Sequence, residues 1–127
     1  MNTNSVILIV SPPGDLQIGL QALLTTHLDI DVLVVGEATS ALKIITRNNP
    51  VVVILDENIP GNIIAQLVAN IKTNWLEIQC VVLVNDDQRC QEIIAAGADL
   101  IVMKGLPGAK LVAEIKSLLE TKTANFD

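Results

Sequence analysis

The chain offers few ligands to a metal and few cations to a polyanion. Its 127 residues include two cysteines, Cys80 and Cys90, and a single histidine, His27. A zinc site takes more ligands than that, so none is expected. Half of the residues are hydrophobic, and a core of that size needs neither metal nor disulfide. Cys80 falls in an apolar strand pattern and is expected to be a buried thiol, while Cys90 falls in a helical pattern and is expected to be inert. Lys and Arg total eight against fourteen Asp and Glu, a formal charge of -6. The eight cations are scattered, so direct nucleic-acid binding is not expected. Met1 to Val10 holds no basic residue, and its apolar run is too short for a signal peptide or a membrane span. A cytoplasmic protein is the expectation. Charged residues make up only 17%, against a usual share of about 25%, and the mean hydropathy is +0.52. So little charge predicts either a parallel sheet buried on both sides or a face covered by a partner.

What is present alternates. Val6 to Val10, Val32 to Val35, Val51 to Leu55, Cys80 to Val84 and Leu100 to Met103 are short apolar runs that read as buried strands. Between them lie helical patterns. Leu16, Leu20, Leu23 and Leu24 mark the first helix, with Asp15 as its expected cap. The second spans Ser40 to Asn48, and Asn48-Asn49-Pro50 ends it. Ile64, Leu67, Val68 and Ile71 mark the third, over Ile63 to Lys72. The fourth is expected to start at caps Asp86 and Asp87 and to stop at Gly97. Leu111, Ile115, Leu118 and Leu119 mark the fifth. Strands separated by helices predict one α/β domain with a doubly wound, five-stranded parallel sheet and right-handed crossovers. The domain is expected over residues 1–122, followed by a polar tail over 123–127 that includes Phe126. Trp75 is expected to cover a sheet edge.

In such folds the chemistry gathers outside the carboxyl ends of the strands. The third strand ends at Asp56 and turns at once through Glu57-Asn58-Ile59-Pro60-Gly61. The other strands end at Ser11 and Pro12, at Val84 and Asn85, and at Lys104. One carboxylate and one cation therefore meet at an otherwise uncharged rim. Pro12-Pro13-Gly14 lacks the glycine spacing of a phosphate cradle, and no Ser–His pair is predicted between Ser11 and His27. Asp15 is too far along, Glu57 is expected to point away by side-chain alternation if the strand continues past Asp56, and Asp86 and Asp87 are read as caps. Asp56 is thus expected to pair with Lys104 alone.

Ile54-Leu55-Asp56-Glu57-Asn58-Ile59-Pro60-Gly61, Ala95-Ala96-Gly97-Ala98-Asp99 ahead of Lys104, and Val6 to Leu24 resemble the receiver domain of response regulators, the CheY-like fold of two-component signalling. The resemblance covers nearly the whole chain and implies strand order 2-1-3-4-5. It places Asp56 as the equivalent of the phosphoacceptor aspartate and Lys104 as the equivalent of the family's lysine. The Asn58 backbone carbonyl stands where the family ligates magnesium.

The departures are as informative. Ser11 and Pro12 replace the family's acidic pair. Val84 replaces its Thr or Ser, Ile101 its aromatic switch residue, and Gly105 its proline. With Asp56 and Asn58 as the residual candidate ligands, Mg²⁺ binding is expected to be weak or absent. The resemblance and its departures imply a non-enzymatic pseudo-receiver, active through protein contacts rather than through phosphorylation. A sensor kinase or output protein is expected on the fourth helix, fifth strand and fifth helix, where Ile93, Ile94, Ile101, Leu106 and Leu111 also suggest a homodimer. Two other readings stand beside this one. One is a conventional receiver phosphorylated on Asp56 by a histidine kinase. The other is a small-ligand binder at the strand-end cleft, with Pro12 and Val84 in its lining.

Overall fold

A computed structural model describes residues 5–124, and side chains as far as residue 120. Five strands alternate with five helices: β1 Val6–Val10, α1 Asp15–His27, β2 Asp31–Val35, α2 Ala38–Asn48, β3 Val52–Asp56, α3 Ile64–Asn74, β4 Gln79–Val84, α4 Cys90–Ala96, β5 Leu100–Met103 and α5 Gly108–Ala124. All strand pairs are parallel, in the order β2-β1-β3-β4-β5. The doubly wound sheet expected from the alternating pattern is therefore observed. Thr123 and Ala124, expected in the polar tail, still belong to α5, and residues 125–127 lie outside the described residues together with Phe126. Among the described residues, no helix is long and apolar enough to cross a membrane.

The strands are apolar along their whole length because both faces are covered. Successive side chains point to opposite faces, and the residues sort accordingly. Leu8, Val10, Val53, Leu55, Val82 and Val84 join the core under α2, α3 and α4. Ile7, Ile9, Val52, Ile54, Val81 and Leu83 join the core under α1 and α5. The low charge of the sequence is accounted for largely by these two cores. Ile93 and Leu111, expected on a dimer face, are buried in them, and Ile101 and Leu106 pack against them. Ile94 is the exposed member of that set, at 58%, and Met103 joins it at 45%. Trp75 ends α3 and packs on the α2–α3–α4 core.

Helix starts were the least legible feature. Asp15 occupies the first turn of α1, not its cap: Gly14 precedes it and no side chain caps the helix. A carboxylate in the first turn still favours the helix dipole. Asp86 and Asp87 do not cap α4 either, because the helix begins only at Cys90. The Asp86 carboxylate turns back to accept the Gln88 N–H at 2.9 Å, and Asp87 uses its carbonyl to accept the Cys90 N–H. Asp favours such local turns over helix continuation.

The stop of α4 does follow the sequence. Gly97 adopts φ +113°, and the N–H groups of Gly97 and Ala98 close on the carbonyls of Ile94 and Ile93. A Cβ there would sit 3.1 Å from Lys72 Cγ, so a side chain would meet both left-handed backbone strain and a close neighbour. Asp99, two residues on, accepts the Cys80 N–H at 2.8 Å and the Lys72 ammonium at 2.9 Å. Lys72 also donates to the carbonyls of Leu76 and Ile78. The Ala-Gly-Ala-Asp segment thus serves as a brace at the amino end of β4, opposite the functional rim.

Cys80 is fully buried beside this brace. Burial pushes its thiol from 9.0 up to about 12; Lys72 lowers it and Asp99 raises it, both less than burial does. Between these values the unfolded chain loses a proton that the folded chain keeps, so stability falls as pH rises above about 9. Cys80→Ala should lower stability at neutral pH through the cavity it leaves and flatten this alkaline fall. Urea midpoints of both proteins from pH 8 to 11 check the prediction; parallel slopes would refute it.

Candidate functional site

The site is built where β3 runs out. Asp56 pairs with Leu83 as the last residue of the strand, and the Glu57 N–H extends the ladder by one bond to the Leu83 carbonyl. The chain then turns, with the Ile59 N–H donating back to the Asp56 carbonyl at 3.2 Å. This leaves the Asp56 carboxylate 4% exposed at the carboxyl edge of the sheet. Lys104 arrives from the next strand but one. Its backbone N–H donates to the Val84 carbonyl, and its ammonium reaches across to Asp56.

Three groups surround that carboxylate. The Lys104 ammonium lies 2.6 Å from Oδ1, and the Asn58 N–H donates to the same oxygen at 2.9 Å. The Ser11 hydroxyl lies 3.2 Å from Oδ2, with its one proton shared toward the Pro12 carbonyl at 3.3 Å. The Asn58 side-chain carbonyl accepts from Lys104 at 2.6 Å and from the Asn85 amide at 3.0 Å. Ser11 is held in turn by Gln17, whose amide donates to its carbonyl at 2.8 Å. No side-chain polar atom buried among the described residues lacks a partner. Ser11, Asp56 and Lys104 are thus brought together as their positions at strand ends imply, and Asn58 joins them through its N–H and side-chain oxygen.

Val84 and Ile101 are not part of this polar cluster. Val84 is fully buried in the α2–α3–α4 core, and Ile101 packs against it. A hollow of about 200 Å³ beside Lys104 opens on the other side, between α1 and α5, and Pro12 is not in its lining. Leu16, Leu20, Leu23, Val102 and Leu111 line it.

Glu57 differs most from expectation. Alternation would turn it away from the rim, but the strand stops at Asp56 and the rule stops with it. Its carboxylate, 8% exposed, accepts the backbone N–H of Asn85 at the exit of β4. A third tie joins the same two loops, from the Arg89 guanidinium to the Asn62 side-chain oxygen at 2.7 Å. In the sequence, Glu57 beside Asp56 was a signal for a second anion at the rim, but nothing local showed which way it turned. Among the described residues, no group of three or more His, Cys, Asp and Glu is placed to hold a metal ion.

The chain matches the model of the response regulator receiver domain over residues 7–116. No curated protein matches it. Among solved structures, a response regulator receiver domain protein (CheY-like) from Methanospirillum hungatei JF-1 superposes with a TM-score of 0.88 at 18% identity, covering 97% of this chain and 99% of that one. A DNA-binding response regulator of the LuxR family from Staphylococcus aureus gives 0.81 at 24% identity, covering 90% and 98%. The signal receiver domain of an HD domain-containing protein from Pseudomonas fluorescens Pf-5 gives 0.85 at 20%, covering 98% and 93%. At these identities the likeness speaks for the fold, and the family match extends over most of the chain. With its acid at the end of the third strand and its lysine at the end of the fifth, the chain belongs to the family of response regulator receiver domains, the receiving modules of two-component signalling.

Proposed function

We propose that this receiver works without aspartyl phosphorylation, as a protein-interaction module rather than a catalyst of its own modification. The occupancy of Asp56 carries the reading. Both of its oxygens have partners supplied by the chain: Lys104 and Asn58 on one, Ser11 on the other. Phosphoryl transfer depends on positioning and on neutralising oxygen charge. Magnesium takes near-octahedral oxygen ligands and is held by one or two carboxylates beside phosphate and water. The donor set here is one carboxylate already matched by an ammonium, two neutral side-chain oxygens, the Asn58 backbone carbonyl and a proline. It does not fit the ion. Val84 has no hydroxyl for a phosphoryl oxygen, a loss on the scale of about 1.5–3 kcal/mol. An active form would gain little from phosphorylation that the resting form lacks.

The partner, a sensor kinase or an output protein, is assigned to the face of α4, β5 and α5. Ile94 and Met103 are its exposed apolar residues, at 58% and 45%. A second copy of the chain is one such partner. Ile94→Asp combined with Met103→Asp should leave the urea midpoint nearly unchanged, as substitutions at exposed sites do, and should remove self-association in sedimentation. A wild-type chain that stays monomeric at high concentration would exclude the homodimer.

Incubation with acetyl phosphate and Mg²⁺ should give no phosphoryl adduct by intact mass. An adduct that disappears in Asp56→Asn would overturn the proposal in favour of a conventional phosphoacceptor. Asp56→Ala should lower folding stability, by less than the roughly 3–5 kcal/mol of a fully buried pair, because Lys104 is 21% exposed along its side chain and keeps its bond to Asn58. A urea midpoint equal to wild type would show that the pair contributes nothing to the fold.

A further inference from the structure

The structure assigns to Glu57 the role of a built-in anion that holds the β4–α4 loop, so that α4 is fixed in place without a phosphoryl group. The inference deepens the phosphorylation-independent reading and rests on it for its meaning, though not for its geometry.

Three observations carry it. The first is Glu57 itself, a carboxylate 8% exposed whose hydrogen bond is to a backbone N–H, that of Asn85. A charge-assisted bond of this kind is about twice as strong as a neutral one, and a buried carboxylate is held where its partner is. The second is that Asn85 is gripped twice, because its side-chain amide also donates to Asn58. Asn58 in turn accepts from Lys104, which binds Asp56. The third is at the far end of the same loop, where Arg89 immediately precedes α4 and donates to Asn62. Glu57, Asn58 and Asn62 all belong to the segment between β3 and α3, and Asn85 and Arg89 bracket the segment between β4 and α4. Two loops are therefore clasped along their length by side chains.

The placement has a direct chemical meaning. In this chain an anion is encoded one residue after Asp56, and the first N–H of the loop after β4 donates to it. Asp86 and Asp87 are left to stabilise the turn locally, and α4 begins late, at Cys90. Glu57 acts here as a positioning residue: it orients the loop and touches no substrate.

Hydrogen exchange on the whole chain tests the clasp. In Glu57→Ala, the amides of Asn85, Gln88 and Cys90 should exchange at least about tenfold faster, the scale of one lost bond to a charged group. Amides of β1 and β2, and that of Ser11 just past β1, should keep their rates. Glu57→Gln, which retains an acceptor oxygen of the same reach, should restore most of the protection. Unchanged exchange in the loop, or acceleration spread evenly through β1 and β3, would overturn the assignment. If Glu57→Ala does not fold, Glu57→Asp, shorter by one methylene, is read in the same way. Treating the same samples with acetyl phosphate and Mg²⁺ separates the two claims. An adduct on Asp56 alongside a loop that depends on Glu57 removes the phosphorylation-independent reading and leaves the clasp. No adduct alongside a loop indifferent to Glu57 removes the clasp and leaves that reading.

Discussion

The contact between Asp56 and Lys104 sets the state of the rim. A carboxylate almost without solvent access keeps its charge at a tolerable cost only when opposite charge and hydrogen-bond donors surround it. Lys104 supplies the charge at 2.6 Å, and Asn58 and Ser11 supply the donors. The ammonium also fixes the Asn58 side chain, and through it Asn85. One cation thus organises the ends of three strands. Its geometry depends on β5 lying beside β4, so the site is a product of the sheet order rather than of any short motif.

What surrounds this pair is neutral or apolar. Ser11 contributes a hydroxyl and Pro12 has no N–H to offer. Val84 lies in the core beneath α2, α3 and α4, and Ile101 packs against it.

Most of the architecture was legible because it rests on periodicity. Five apolar runs and the helical spacing between them gave the sheet, and the clustering of Asp56, Ser11 and Lys104 followed from strand ends alone. Failures came where a side chain chose between local and distant partners. Asp15, Asp86 and Asp87 have the composition of caps, yet none of them caps a helix. Alternation does not govern Glu57, because the strand ends one residue before it. Ile93 and Leu111 looked available for a partner because helical phase cannot be fixed to within one residue from an apolar pattern that runs most of the way round. The ties from Asn58 and Asn62 to the next loop span 27 residues each, a separation at which sequence proximity carries no information.

The brace of Lys72, Gly97 and Asp99 sits at the other end of the strands. It sets where β4 begins and how β5 enters beside it, using groups that never approach Asp56. The two clusters occupy opposite poles of the same sheet and share no side chain. A substitution at the rim therefore meets none of the groups that set the register at the other end.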